Sequence, residues 1–330
     1  MKHCRLLISI CIAVLSTAPA SAATKKVGQT GFQFLKIDMS TRAAGMGGSY
    51  ITINDDATSM FYNPAGLALM QSKGDAFAMN TKWIADISYL GGGLAVSLGD
   101  YGTVGASWMI ADYGNDFIGT RYWPSAPLGY IETGKLDVSA YTVGLSYATA
   151  LTDRFYVGGQ VKTCYQHLGQ NYIDTLGTIR INELSGLAYD FGTIFYPGFK
   201  SFRIGMNIRN FAPEFKYEEE GFELPMTLVI GVAMDVLDLA GEHENSLLVS
   251  IDAVHPRDFT ERVNVGAEYT YMKMLSLRAG YKYNYDNEGF TAGIGVQQKL
   301  GSALINIGYA YASMKYFDAV HRISVGIALQ

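Results

Sequence analysis

The sequence predicts an all-β fold: a closed, transmembrane antiparallel β-barrel of about 14 strands with an N-terminal hatch. Three observations carry this expectation. The chain holds 37 glycines and 23 tyrosines but only 8 prolines, and 17% of its residues are charged. Its first residues have the form of an export signal. Its C-terminal half alternates apolar and polar residues with a period of two.

The export signal comes first. Residues 1–22 carry Lys2 and Arg5, an apolar run from Leu6 to Leu15, and Ala20-Ser21-Ala22. A basic head, a short apolar core and an A-x-A site predict a signal peptide cleaved after Ala22. The run is too short to span a bilayer as a helix. Cleavage removes Cys4 and Cys11 and leaves Cys164 alone, which excludes an intramolecular disulfide scaffold. It also removes two basic residues and no acid, so the chain becomes more negative than its formal net charge of −5. No Lys/Arg stripe remains for nucleic acid.

The barrel is read over residues 73–330. In Leu275–Tyr283 one face is Leu275, Leu277, Ala279, Tyr281 and Tyr283; the other is Ser276, Arg278, Gly280 and Lys282. Val263–Tyr271, Phe290–Val296, Ile305–Tyr311 and Ile323–Leu329 repeat the rule. Successive strand side chains point to opposite faces, so each segment has one greasy face. Tyrosines close the ends of those faces, at Tyr269, Tyr271, Tyr281, Tyr283, Tyr309 and Tyr311. An apolar band between aromatic girdles is the mark of a membrane barrel rather than a soluble sandwich. A spanning sheet must pair all of its backbone, so it must close.

Fourteen segments qualify, near 75–81, 87–98, 101–111, 137–149, 155–166, 184–195, 201–211, 225–235, 246–254, 261–271, 274–284, 289–299, 303–313 and 320–329. Connections after even-numbered segments are short, with 236–245 the exception. Those after odd-numbered ones include the long 112–136, 167–183 and 212–224. Short periplasmic turns and long outer loops fit this parity. The chain ends Leu329-Gln330 where such barrels commonly end in an aromatic residue, although Ile323, Val325, Ile327 and Leu329 keep the apolar face.

Residues 23–72 are mixed rather than alternating and are read as a hatch in or against the periplasmic mouth. Asn63 is a helix N-cap and Pro64 suits the first helical position, so a short apolar turn follows over Ala65–Met70. Gly45, Gly47 and Gly48 permit tight turns before a short β-like run, Ser49–Ile53. No Gly-Lys-Ser/Thr follows them, so they are no phosphate loop.

These residues carry a resemblance. The stretch FLKIDMSTRAAGMGGSYITINDDATSMFYNPAGLA resembles the N-terminal signature of the PorV/PorQ family, related in fold to FadL-like transporters of hydrophobic compounds. The matching positions are Arg42-Ala43-Ala44-Gly45-Met46-Gly47, Asp55-Asp56-Ala57 and Asn63-Pro64-Ala65-Gly66. The resemblance implies a non-enzymatic barrel of the Gram-negative outer membrane, embedded in outer-membrane lipid. In PorV-like relatives the implied role is accessory to type IX secretion. It brings secreted proteins with C-terminal sorting domains to the surface-attachment machinery. In FadL-like relatives the implied role is uptake of apolar small molecules. The inner positions, mainly Gly, Ser, Asn, Thr and charges, lean against a greasy tunnel; both readings stay open.

Candidate residues fall into three further groups. Lys162, Arg203, Arg209, Asp252, Arg262, Glu268, Arg278, Lys282 and Arg322 share the polar faces of their strands and should face the lumen, since charges facing lipid near the midplane cost about 2–4 kcal/mol. They are read as a lining that holds the hatch, or as a polar path for solute. The run Lys216–Glu223 is read as a solvated acidic loop, with a calcium or basic-partner role as the alternative. In the loop 112–136, Phe117, Tyr122 and Trp123 are candidate partner contacts, or else caps over the barrel mouth. His167, His243, His255 and His321 are far apart in sequence, no G-x-S-x-G occurs, and no cofactor or metal motif is present.

Overall fold

The computed structural model describes residues 28–53, 55–114, 117–172, 178–241 and 244–330. The signal peptide, residues 23–27 of the hatch and His243 lie outside the described residues. Fourteen antiparallel strands form a closed barrel in which each pairs with its sequence neighbours. They are β1 Gly74–Lys82, β2 Ser88–Ser97, β3 Thr103–Asp112, β4 Ser139–Ala150, β5 Phe155–Tyr172, β6 Ile179–Phe195 and β7 Arg203–Phe211. The second half comprises β8 Thr227–Asp235, β9 Ser246–Pro256, β10 Arg262–Tyr271, β11 Leu275–Tyr283, β12 Glu288–Leu300, β13 Ala303–Met314 and β14 Val320–Leu329. β1 closes on β14 from Gly74 opposite Leu329 to Lys82 opposite His321.

The alternation sets the wall. In β4, Tyr141, Val143, Leu145 and Tyr147 are exposed to the outside, while Ala140, Thr142, Gly144, Ser146 and Ala148 point in. The same holds along β14, where Ile323, Val325, Ile327 and Leu329 are exposed. Tyrosines mark both edges of the band: Tyr141 stacks on Tyr165 at 4.8 Å near the long-loop rim, and Tyr147 bonds the Tyr101 carbonyl near the opposite rim. This exterior is the apolar band and girdle of an outer-membrane barrel.

Two details depart from the sequence expectation. β5 and β6 run past residues 166 and 184, to Tyr172 and from Ile179, as a projecting hairpin. A register shift between His167 and Gln170 breaks the alternation there, which hid the extension. Ser49–Ile53 is a turn, not a β-like run. Its backbone donors at Tyr50 and Ile51 go to the Asp252 carboxylate, at 2.7 and 3.2 Å, instead of to a strand.

Residues 28–72 thread the lumen. They form a 3-10 turn at Gln33–Lys36, a short α-helix at Thr41–Gly45, and 3-10 turns at Ala57–Phe61 and Pro64–Leu69. The segment is therefore not confined to the periplasmic mouth, although Arg42, Asp55 and Gln71 do lie at the short-turn rim. Thr30 and Gly31 pair with Glu223 in a long loop at one rim, and the segment crosses to the other rim, where β1 begins. A barrel of this size leaves a lumen that must be filled by side chains or by a plug.

Candidate functional site: the hatch and its socket

Each quoted motif of the hatch has a local structural reason. Ser40 caps the helix Thr41–Gly45 by accepting from Ala43 N at 3.4 Å. Asp56 caps Ala57–Phe61 through Thr58 N at 2.8 Å. Asn63 caps Pro64–Leu69 through Ala65 N at 3.2 Å, and its amide also donates to the carbonyls of Ile51 and Thr193, at 2.9 and 3.1 Å. Caps of this kind satisfy backbone donors that a short helix leaves open.

The small residues of Arg42–Gly47 dock backbone on backbone. A Cβ added at Gly45 would lie 3.1 Å from Gly293 Cα, and one at Gly47 would lie 2.8 Å from Tyr281 N. Gly47 also has φ +67°, which disfavours a side chain. From the wall side, a Cβ on Gly266 or Gly280 would overlap Met46 or Gly47. Inward glycines are thus the socket of the hatch. Thr291 Oγ1 completes it by donating to the Gly45 carbonyl at 3.0 Å.

Six of the nine predicted charges meet the hatch or its ion pairs. Glu268 accepts from Arg42 Nε at 3.0 Å and Nη2 at 2.6 Å, and from Arg278 Nε at 2.5 Å. Arg42 also reaches Asp55 at 3.1 Å. Lys282 bridges Asp38 at 3.0 Å and Glu288 at 2.8 Å. Arg203 Nε donates to the Thr52 carbonyl at 2.5 Å, and Arg209 Nη1 to that of Phe61 at 2.8 Å. Asp252 holds Tyr50 and Ile51 as above.

Three do otherwise. Lys162 pairs within the wall with Asp190 at 2.6 Å. Arg262 stacks between Phe259 and Tyr285, 4.2 Å from each ring. Arg322, 1% exposed, lies over Trp83. Sequence reasoning missed Asp38, Asp190 and Asp258. Asp190 was findable, because it shares the inward register of Gly186, Ala188 and Gly192. Asp258 lies in a loop with no periodic signal.

Electrostatics of the hatch follow from this pairing. Burial alone would push the Asp38 carboxyl up, but Lys282 and then Arg322 bring it below the usual range. Asp258 behaves alike: burial works against its charge, and Lys36, Thr30 and Gln33 hold it down. Asp56 goes the other way, raised by burial and by neighbouring Asp55.

Two lumenal regions differ in character. At the short-turn rim a polar vestibule of about 450 Å³ is bounded by Arg42, Asp55, Asp75, Lys273, Arg278 and Gln330, among others. In the long-loop half, Met79, Tyr89 and Met109 of β1–β3 make an apolar strip against Phe34, Leu35 and Ile37 of the hatch. Ala111, Ala140, Cys164 and Ala188 continue the strip, and their small size leaves room for the hatch segment. This revises the expected polar lining, and apolar wall residues also meet the hatch at Ala233 and Leu248 and at Ala95 and Ala148. At the same rim Phe117, Tyr122 and Trp123 are 45%, 78% and 40% exposed beside a small hairpin, Ile118–Tyr122 with Tyr130–Lys135. Glu218, Glu219, Glu220 and Glu223 of the acidic run are exposed, while Phe222 within it and Phe215 just before it fold inward over the lumen.

No protein-family profile and no curated protein matches the sequence. Solved structures do match. The toluene transporter TbuX of Ralstonia pickettii aligns with a TM-score of 0.56 at 16% identity, covering 87% of this chain and 96% of that one. A FadL homologue of Pseudomonas aeruginosa aligns at 0.56 and 11%, covering 88% and 97%. The toluene transporter TodX of Pseudomonas putida aligns at 0.54 and 12%, covering 87% and 96%. At these identities the likeness concerns the fold: a 14-strand outer-membrane barrel of FadL-like form. TbuX and TodX are toluene transporters by their descriptions.

Proposed function

We propose that the chain is a non-enzymatic outer-membrane transporter of small hydrophobic molecules. The observation that carries this reading is the apolar strip of Met79, Tyr89 and Met109 in the long-loop half of the lumen. Apolar side chains lining a lumen offer an apolar solute a path that polar solutes do not share. The segment 28–37 now fills that path, and the vestibule at the other rim gives the exit. The transporters of similar fold support the same reading.

The test is uptake of radiolabelled toluene and oleate by cells with an intact lipopolysaccharide layer. The wild type should exceed the vector control. Met109→Asp places a hydrated carboxylate in the strip, which an apolar solute must then pass without apolar contact, so uptake should fall roughly tenfold or more. Uptake at the vector level by an assembled wild-type barrel sinks the reading.

A second reading, accessory to type IX secretion, has the exposed aromatic hairpin in its favour. Aromatic side chains bury large area with few rotors and anchor protein interfaces. If it holds, Phe117→Ala, Tyr122→Ala and Trp123→Ala together abolish capture of secreted cargo in a pull-down while toluene uptake stays intact.

A further inference from the structure

The outer face of the barrel carries a polar notch at the seam where β1 meets β14. Along β1 the outward positions are Gly74, Ala76, Ala78, Asn80 and Lys82, while Asp75, Met79 and Thr81 between them are buried. Lys82 lies directly opposite His321 of β14, and Asn80 opposite Ile323. On its other side His321 lies opposite Tyr311 of β13. Lys82, Asn80 and His321 are all exposed. They sit toward the long-loop ends of their strands, where neighbouring strands carry the outer girdle as Tyr281, Tyr283, Tyr309 and Tyr311.

Polar groups on a lipid-facing wall cost free energy unless something pairs with them. Among the described residues no hydrogen bond or ion pair reaches Lys82 Nζ or the Asn80 amide. The exposed acids of the flanking connections, Asp86 and Asp318, pair with neither Lys82 nor His321. Tyr309 Oη and His321 Nδ1 are bonded at 2.7 Å. With Tyr309 as the donor, the imidazole carries its proton on Nε2. Lys82, His321 and Asn80 then bring three unused donors into one patch, since alternate residues of a strand lie about 7 Å apart.

Below these donors, toward the midplane, the same strand forms the floor of a groove. The floor is Ala78 and Ala76. Val325 and Ile327 of β14 stand beside them in register. On the other side stand Leu94 of β2, opposite Ala76, and the Trp108 ring of β3, which lies over Gly92. The strands flanking β1 are about 10 Å apart, which leaves room between their side chains for one hydrocarbon chain.

We propose that the notch and groove seat one phosphorylated lipid of the outer leaflet. Its headgroup phosphate accepts from Lys82 Nζ and His321 Nε2, the Asn80 amide donates to the acyl linkage beneath, and one acyl chain lies along Ala78 and Ala76. The occupant follows from the order of groups down the wall. A cation and a ring N–H come first, then an amide donor, then an apolar floor, which is the order of phosphate, acyl carbonyl and chain in such a lipid. Charge-assisted bonds to phosphate are the strong ones in this set. The long loops put the notch in the outer leaflet. Bound there, the lipid covers the seam at which the barrel closes. The inference rests on the membrane-facing wall and not on the transport reading.

The test is native mass spectrometry of the detergent-solubilised barrel titrated with bis-phosphorylated lipid A, with heat-modifiable mobility as the check on assembly. Lys82→Ala with His321→Ala should weaken binding roughly tenfold, the loss expected when a cation and a second donor near a lipid phosphate are removed. Lys299→Ala, at an exposed cation of the short-turn rim, should stay within about twofold of the wild type. Ala78→Trp keeps every donor and fills the groove, so it should weaken binding severalfold. Lipid A stripped of its phosphates should bind the wild type roughly tenfold more weakly than the bis-phosphorylated form. Unchanged binding by an assembled double variant overturns the inference, and so does an equal loss in Lys299→Ala. Unchanged binding by Ala78→Trp, or equal binding of the stripped lipid, overturns it as well. Full displacement of lipid A by inorganic phosphate would mark a site for a free anion and sink the lipid assignment.

Discussion

Removing the Glu268 carboxylate should unseat the hatch and leave the barrel standing. Glu268 is 3% exposed and joins two guanidiniums, Arg42 of the hatch and Arg278 of the wall. In Glu268→Ala both arginines lose their shared partner and repel each other. Breaking a buried pair by deleting one member costs about 3–5 kcal/mol, because the survivor is left uncompensated. The Arg42 side chain is 23% exposed and reaches the polar vestibule, so water recovers part of this. The low end, about 3 kcal/mol, is therefore appropriate, and it shifts the docked-to-undocked ratio by on the order of a hundredfold. None of this cost falls on the strand ladder, whose backbone pairing of β10 with β11 is independent of the side chain. The assay is the open fraction of single channels in planar bilayers, with heat-modifiable mobility reporting the barrel. A matched variant, Arg42→Met with Glu268→Leu and Arg278→Met, replaces the ions by apolar groups and should restore most of the closed state. An open fraction in Glu268→Ala within about twofold of wild type would refute the account of this triad as the hatch anchor.

Three further outcomes are expected. Gly280→Ala forces a methyl group into the Gly47 backbone, so overpacking should destabilise hatch docking by about 1–3 kcal/mol; Gly326→Ala, whose Cβ would meet nothing nearer than 3.5 Å, should leave channel opening unchanged. On acidification the bridges of Asp38 and Asp258 should persist through pH 5, because both folded pKa values are depressed. Their contribution is complete above the ordinary carboxylate pKa of about 3.9 and is lost as pH falls through the lower folded values. Asp56, whose folded pKa is raised, acts oppositely by favouring the docked state as it protonates. Channels that open between pH 7 and 5 would contradict this assignment. Glu219→Cys in the Cys164→Ser background, at an exposed position in loop 212–226, should react with an impermeant thiol reagent on whole cells; labelling only after permeabilisation would invert the barrel.

The wall was legible in the sequence because a strand has a period of two and lipid tolerates only one kind of side chain. That constraint repeats along each strand, so Leu277, Tyr281, Ile323 and Val325 announced the outer face without any knowledge of their neighbours. Chain punctuation was equally local: Asn63-Pro64 signals a helix start through its own cap chemistry. The path of the hatch was not legible. Residues 28–72 carry no period, and their position depends on partners more than a hundred residues away, such as Thr30 with Asp258 and Asn63 with Thr193. The inward glycines showed as a pattern, yet their purpose, to let Gly45 and Gly47 lie against the wall, needs both surfaces in place. The apolar strip was also hidden, since Met79, Tyr89 and Met109 meet only when three strands curve around one segment of the hatch. Local periodicity therefore determined the barrel and its lipid face. Only closure of the barrel, which brings distant residues to a common interior, decided what fills the lumen.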